Sequence, residues 1–335
     1  HEDVVPDFTG VNFDRRDETG NVIPFIWGVS TAAFQVESGI ENNDWHHFTH
    51  TRSVKDRIAK LGNMAGTTLR IESEGRAFDH WDRRVLQDDL DRARLLGVNA
   101  YRFSLEWARV QPNKPTWADT VIIKRKEARD VLSSASSERA LAVFDRRNAD
   151  RHTARAGQLE TRAAQLEAEA RAAIDTPYDP SEFDSEAVSN YVEMVRDMRK
   201  RGLTPVLTMM HMTLPDWVLT PPAAYDLAGW GAVEDARFWD SLRGWETDAT
   251  VAAFRKFVRF VTPFFKDDVK YFVTLNEPVG TVTGGGYMAG IFPPGFLAVG
   301  YKARTAYHNL IDAHIAAYDE IKAIVPADAK VGVSH

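Results

Sequence analysis

The 335-residue sequence contains no cysteine, which excludes disulfide bonds, thiolate metal ligands and a cysteine nucleophile. It also has no uninterrupted apolar run approaching the roughly 18 residues of a membrane-spanning helix. Basic residues are outnumbered by acidic ones, 41 against 48, and the net charge is -7. Because nucleic-acid affinity depends largely on clustered Lys and Arg, we expect no nucleic-acid partner. The lack of a long apolar run leads us to expect no membrane partner either.

The amino-terminal stretch HEDVVPDFTG is acidic and lacks the basic and apolar regions of a signal peptide. We therefore expect a cytoplasmic protein by default. The start at His1 instead of Met suggests a processed or an artificially introduced start, which leaves a removed leader open.

What the sequence does contain is enough apolar material for a substantial core. Hydrophobic residues make up 44% of the chain and charged residues 27%, which fits one large globular domain or two smaller ones. The nine Trp are more than a small core requires. They favour a large core, with the aromatic lining of a sugar-binding cleft as the alternative.

Short apolar segments alternate with helical stripes along the chain. In one stripe, Leu86, Leu90 and Ala93 recur at helical spacing, and Gly97 provides a helix-ending signal just before an apolar strand. The alternation predicts a parallel α/β sheet, either doubly wound or curled as a barrel. The five predicted strands are residues 25–30, 100–104, 204–210, 271–275 and 330–334.

The texture changes between Pro115 and Pro180 to an Ala-, Arg- and Glu-rich stretch. Leu159, Leu166 and Ala173 are spaced by sevens there, and this pattern predicts a helical hairpin inserted after the second strand. With Leu132, Leu141 and Phe144 on an earlier segment, the hairpin would close on itself or on a partner. A charged, partly disordered loop is the alternative. The predicted division is 1–114 for the first part of the barrel, 115–180 for the hairpin and 181–335 for the second part.

Polar side chains follow the carboxyl ends of four predicted strands, where parallel strand–helix barrels carry their catalytic groups. Amide, imidazole and carboxyl groups of this kind suit a hydroxyl-rich ligand. We expect one of the carboxyls, Glu106, to form a structural pair with Arg109. The residues at these strand ends are Gln35, Arg102, Glu106, His211, Asn276 and Glu277.

The segment TLNEP, residues 274–278, resembles the Thr-Phe/Leu-Asn-Glu-Pro motif of family 1 glycoside hydrolases, the family of β-glucosidases and β-galactosidases. Further matching segments occur in the order that this family shows. They are FIWGVSTAAFQVE (25–37), YRFSLEWARVQP (101–112), HMTLPDW (211–217), GYMAGIFPPG (286–295) and YHNLIDAH (307–314).

The resemblance implies a role for each matched residue. Glu277 would protonate the leaving oxygen as the acid/base, and Asn276 would bond the 2-hydroxyl of the sugar. Gln35 and His211 would hold other hydroxyls of the same sugar. Arg102 would stand beside the nucleophile carboxylate and keep it ionised.

Two tryptophans, Trp217 and Trp230, match aromatic positions near the cleft of the family and are expected to support it. The resemblance also implies a β-glycoside or monosaccharide as the ligand, with no cofactor and no metal. It covers only the first five strand–helix units, so the expected fold is an incomplete TIM (β/α)8-type barrel with an inserted helical hairpin.

The family's nucleophile lies in a Glu-Asn-Gly motif, and this tripeptide occurs nowhere in the 335 residues. Retaining glycosidases need two carboxyl groups about 5 to 5.5 Å apart. The expected function is therefore retaining hydrolysis of terminal β-D-glucosides or galactosides with weak or absent turnover. The alternative is a carbohydrate-binding or self-associating pseudoenzyme.

An open five-stranded sheet would expose its two edges and its barrel-facing apolar side chains. The chain would then be a fragment of a longer enzyme, an incomplete barrel that self-associates, or a barrel completed by another polypeptide. We expect a homo-oligomer formed through the exposed edges. Without a nucleophile carboxylate, Arg102 would either be wetted at the open side or recruit Glu277.

Overall fold

Five parallel strands form one sheet in the order in which they occur along the chain. The computed structural model describes residues 15–16, 18–23, 25–68, 79–225 and 231–335. Within these residues the sheet is open, because its first and last strands pair only with their inner neighbours. The predicted incomplete barrel is confirmed. The strands are β1 (Gly28–Ser30), β2 (Ala100–Ser104), β3 (Thr204–Met210), β4 (Tyr271–Asn276) and β5 (Lys330–Ser334).

Strand β1 is shorter than predicted, and the Asn99 side chain bonds the backbone of the residues just before it. The Asn99 amide donates to the carbonyl of Phe25 and accepts from the N–H of Trp27, both at 2.8 Å. Regular pairing then begins at Gly28, opposite Ala100. A Cβ at Gly28 would lie 2.8 Å from the Ala100 carbonyl oxygen, so this close approach requires glycine.

Helices cross over between successive strands, as in other parallel α/β folds. Asp82 and Asp184 cap two of them by accepting hydrogen bonds from N–H groups in the first turn. The helices are α1 (Ala33–Val36), α2 (Asp44–His50), α3 (Arg52–Met64), α4 (Arg83–Leu95), α5 (Trp107–Val110), α6 (Thr116–Phe144), α7 (Ala149–Ile174), α8 (Ser185–Lys200), α9 (Ala236–Trp239), α10 (Asp248–Phe265) and α11 (Gly300–Lys322).

The core lies between the sheet and these crossover helices. Helix α10 buries one apolar face that includes Phe254, Phe257 and Val258, each fully inaccessible. The ring of Phe257 stacks on that of Trp107 with centroids 5.2 Å apart. Burying such rings is a large source of stability, at roughly 25 cal/mol per Å² of apolar surface. Helix α10 follows β3 and precedes β4, so this packing holds the crossover between these two strands.

The remaining regular segments are short. A 3₁₀ turn spans Pro180–Glu182, another spans Gly244–Glu246, and a π-helical segment spans Pro278–Met288 directly after β4. Arg15–Arg16 pairs antiparallel with Val22–Ile23. None of the helices described combines the length and apolar character that crossing a membrane requires.

Helices α6 and α7 form the predicted hairpin after β2 and pack against each other along small residues. Ala128, Ala163 and Leu166 make a separate buried cluster between them. By contrast, Leu132 and Phe144 of α6 are 46% and 83% exposed and do not enter this seam. Small side chains let the two backbones approach, so the hairpin closes on itself. The proposed domain boundaries at 114 and 180 stay a prediction.

The hairpin is tied to the rest of the fold by polar contacts. Arg125 on α6 pairs with Asp248 on α10 at 2.7 Å. Lys256 lies over the ring of Trp117, 3.8 Å from its centroid, and donates to the Ile174 carbonyl at 2.9 Å. These contacts place the hairpin beside α10 on the outside of the sheet.

Candidate functional site

Arg102 lies at the centre of the carboxyl edge of the sheet and joins three neighbouring strands. Its Nε donates to Thr208 Oγ1 at 2.8 Å, its Nη1 to Ser334 Oγ at 3.1 Å, and its Nη2 to Asn276 Oδ1 at 2.6 Å. Partial burial lowers the pKa of Arg102, and the charge of Glu277 opposes this effect. The guanidinium of this β2 residue therefore links side chains of β3, β4 and β5.

The considered pairing of Arg102 with Glu277 is not formed. In the part of the chain that the structure describes, Arg102 makes no ion pair, and its three acceptors are neutral oxygens. The carboxylate of Glu277 accepts a hydrogen bond from Thr281 Oγ1 instead. Glu277 thus remains close enough to influence Arg102 electrostatically without neutralising it.

Glu277 follows β4 directly and is exposed at the edge of the sheet. Its backbone is left-handed, with φ 43° and ψ 53°, and its N–H donates to the Ser334 carbonyl at 2.9 Å. A non-glycine residue in this conformation is uncommon and is held here by the following π-helical segment. The turn separates the direction of Glu277 from that of Asn276, which is buried.

His211 follows β3 directly and is partly buried. Burial and, to a smaller extent, the charge of Arg102 lower its pKa to about 4, against the opposing charge of Glu277. The imidazole is therefore neutral near pH 7. Its Nδ1 is inaccessible to solvent and makes no hydrogen bond with any described residue. The mutual electrostatic effects place His211, Arg102 and Glu277 in one neighbourhood.

Gln35 is exposed on the short helix α1, which follows β1. Two bonds hold this helix at the carboxyl end of β2. The N–H of Thr31 donates to the Arg102 carbonyl, and the N–H of Ala33 donates to Ser104 Oγ, both at 2.9 Å. Strand order thus places Gln35 on the same edge as Arg102, although no direct contact joins them among the described residues.

Of the two tryptophans assigned to the cleft, Trp217 is buried and packs on Trp107. Its Nε1 donates to the Gln111 carbonyl at 3.1 Å, which agrees with a supporting role. Trp230 lies outside the residues that the structure describes.

A group of buried carboxyls lies behind this edge. Burial raises the pKa of Glu37 to about 7, against the charge of Arg109, and it raises the pKa of Glu106 to about 8. The expected pair of Glu106 with Arg109 is wrong, because Arg109 Nε bonds Glu37 Oε2 at 3.2 Å. Glu106 Oε2 instead accepts from Thr213 Oγ1 at 2.9 Å. In the sequence, the position of Glu37 two residues after Gln35 indicates that it lies close to this edge.

A third buried carboxyl, Asp44, holds the segment that follows His211. Its Oδ1 accepts from the N–H of Leu214 at 2.7 Å, and its own N–H donates to the Leu214 carbonyl at 2.9 Å. Burial raises the pKa of Asp44 well above its ordinary value. The loop of residues 211–217 is therefore fixed from α2 on one side and from Glu106 on the other.

Comparison with known proteins agrees with this architecture. A beta-galactosidase from Pyrococcus woesei is 28% identical over 308 residues, which are 89% of this chain and 49% of the relative. Cytosolic beta-glucosidase from Homo sapiens is 24% identical, with 87% of this chain and 42% of the relative aligned. The chain spans about half the length of the curated relatives it matches.

Solved structures show the same fold over the same extent. The hyperthermophilic beta-glucosidase from Pyrococcus furiosus superposes with a TM-score of 0.59 at 24% identity, over 92% of this chain and 54% of that chain. The beta-glycosidase from Thermosphaera aggregans superposes with a TM-score of 0.59 at 23% identity, over 92% and 53%.

The family model for glycosyl hydrolase family 1 matches residues 22–117 and 237–335. These two segments make up more than half of the chain. They contain the strands β1, β2, β4 and β5, and β3 lies between them. The unmatched interval includes nearly all of the hairpin helices α6 and α7. On this match and on the fold, the chain belongs to glycosyl hydrolase family 1.

Proposed function

We propose that this chain binds the terminal β-D-glucosyl or galactosyl unit of a β-glycoside at the carboxyl edge of its sheet. The observation that carries the proposal is the meeting of Arg102, Asn276, Glu277 and His211 at the ends of adjacent strands in a family 1 chain. In parallel strand–helix barrels this edge carries the active site.

Asn276 is proposed to bond the 2-hydroxyl of the sugar. Its Oδ1 is engaged by Arg102, so its Nδ2 has two hydrogens to donate. The side chain is buried and cannot turn its amide freely. In the same proposal, the neutral imidazole of His211 and the exposed amide of Gln35 bond other hydroxyls of that sugar.

Glu277 is proposed to be the acid/base of retaining hydrolysis. It would donate a proton to the leaving oxygen and later take one from the attacking water. Its exposure and its position next to Asn276 support this role. The Thr281 hydroxyl would hold the carboxyl in place during both steps.

Double displacement also needs a nucleophile carboxylate, which Arg102 would flank. Among the described residues no carboxylate forms an ion pair with Arg102. This observation favours a second candidate, in which the chain binds a monosaccharide without turning over a glycoside.

We also propose that the chain self-associates through the edges of the sheet. Ile26 beside β1 and Val333 of β5 are each 43% exposed, and a second copy would cover them. A cytosolic location is proposed as well, with support from the name of the human relative.

An assay with an aryl β-glucoside, run beside a molar-mass measurement, tests these proposals. Hydrolysis that Glu277→Gln abolishes and Glu169→Gln retains supports the enzyme. Glu169 is an exposed glutamate on the hairpin helix α7 and serves as the control. Glucose binding without hydrolysis supports the sugar-binding candidate. If the protein neither hydrolyses the glucoside nor binds glucose, both candidates are refuted. A monomeric mass refutes self-association.

A further inference from the structure

One buried hydrogen-bond network connects the two segments that carry the candidate sugar-binding residues Gln35, on α1, and His211, directly after β3. The Tyr191 hydroxyl stands at its centre and is fully inaccessible to solvent. It accepts from the Glu106 N–H at 3.0 Å and donates to Glu37 Oε2 at 2.8 Å. Helix α8 thereby bonds to segments that follow β1 and β2.

On one side the network ends next to Gln35. Glu37 directly follows the last residue of α1, two positions after Gln35, and its side chain is 4% exposed. Tyr191 and the Nε of Arg109 both donate to its Oε2. Helix α1 has only four residues and no side-chain cap at its start. The bonds to Glu37 therefore hold the end of the helix, as the bonds of Thr31 and Ala33 hold its start.

On the other side the network ends next to His211. Glu106 accepts from Thr213, two positions after His211, and both side chains are buried. Met212 between them has a φ of 75°, a left-handed conformation that methionine rarely adopts. Such a conformation persists only where the surrounding contacts hold it. The Thr213 hydroxyl is one of those contacts.

We infer that Tyr191 and Glu106 are positioning residues that hold Gln35 and His211 at one fixed spacing, suited to the hydroxyls of a single sugar. Simple core packing would be served as well by apolar side chains, since buried polar groups cost stability unless they are fully bonded. Both ends of the network instead lie two residues from a candidate sugar ligand. The inference rests on the proposed function for its choice of ligand.

The test uses Tyr191→Phe, which removes only the central hydroxyl, and Thr213→Val, which removes the bond at one end. Glucose affinity is measured by calorimetry, and hydrogen exchange is followed by mass spectrometry in residues 33–38 and 211–217. We expect Tyr191→Phe to weaken glucose binding about tenfold, the loss that corresponds to one hydrogen bond to the sugar. It should also raise exchange in both segments. Thr213→Ser retains the hydroxyl that Thr213→Val removes. It should therefore show the glucose affinity and the hydrogen exchange of the unmodified protein.

A matched control is Thr262→Val. Thr262 is also buried, and its hydroxyl donates to the Val258 carbonyl at 2.7 Å within α10, away from the network. This control should change neither glucose affinity nor exchange in the two segments. All measurements are made far below the melting temperature of each variant, so that lost stability is not read as lost positioning.

The outcomes separate this inference from the proposed function. If the unmodified protein binds glucose and Tyr191→Phe binds it equally well, the positioning role is refuted. If the unmodified protein does not bind glucose, the proposed function fails, and exchange still decides whether Tyr191 couples the two segments. A change confined to one segment, or spread evenly over the chain, refutes the coupling.

Discussion

The Nη2 of Arg102 donates to Oδ1 of Asn276 across 2.6 Å, and this bond determines how the buried amide is oriented. Because Arg102 holds Oδ1, the side chain of Asn276 offers the two hydrogens of Nδ2 to a ligand. The guanidinium of Arg102 therefore orients a neutral amide, and this relationship can be tested.

Replacing Arg102 by Met should weaken glucose binding by about tenfold. Asn276, Thr208 and Ser334 would each lose a charge-assisted partner, and the amide would no longer be held in one orientation. Calorimetric titration of the two proteins with glucose measures the change. Arg259→Met on the surface of α10 serves as the control and should bind like the unmodified chain. Equal affinities for Arg102→Met and the unmodified protein would contradict the role.

Acid stability should depend on His211. The pKa of this imidazole is about 4 in the folded protein, below its ordinary value of 6.5. Between these values the unfolded chain holds a proton that the folded chain does not, so stability falls as the pH drops from 6.5 to 4. In His211→Gln the loss between pH 7 and 4.5 should be smaller by about 2 kcal/mol.

Urea unfolding at these two pH values measures this difference. His308→Gln, which alters an exposed imidazole on α11, is the control. The same acid loss in the unmodified protein and in His211→Gln would show that His211 is not responsible.

Alkaline stability should depend on Glu106. Burial raises its pKa to about 8, so above an ordinary value near 4.5 the folded chain holds a proton that the unfolded chain releases. Its contribution is complete below pH 4.5 and is lost as the pH rises through 8. Glu106→Gln cannot ionise and still accepts from Thr213, so its stability should fall less between pH 5.5 and 8, by a difference on the order of 2 kcal/mol.

Urea midpoints at pH 5.5 and 8 test this. Glu37, whose pKa is raised to about 7, ionises in the same range. It should therefore cause part of the fall in stability with pH in both proteins. An unchanged slope in Glu106→Gln would assign the alkaline loss elsewhere.

The hairpin should melt without disturbing the carboxyl edge of the sheet. Leu166→Ala empties the small cluster between α6 and α7 and should cost about 2 to 3 kcal/mol locally. Hydrogen exchange should rise in residues 116–174 and stay unchanged in 211–217. Leu141→Ala, at a position 46% exposed, should have little effect. Increased exchange in 211–217 would show that the hairpin and the site are coupled.

The sequence by itself determined the order and type of the main elements. Strands β2, β3 and β5 begin and end where their apolar runs do, and the hairpin occupies its Ala-rich interval. These features follow from local periodicity, because a buried strand and an amphipathic helix each need their own spacing of apolar residues. The motif around Glu277 likewise identified the family before any contact was known.

Only the tertiary structure decided which polar groups meet. Glu106 and Arg109 are three positions apart, yet Arg109 bonds Glu37, 72 positions away, and Glu106 bonds Thr213, 107 positions away. The shortened β1 has the same origin, since the Asn99 side chain reaches back 74 positions to Phe25. Hydrogen bonds are specific in distance and direction. The packing of strands and helices determines both for residues that are far apart in sequence, and no local pattern relates such residues.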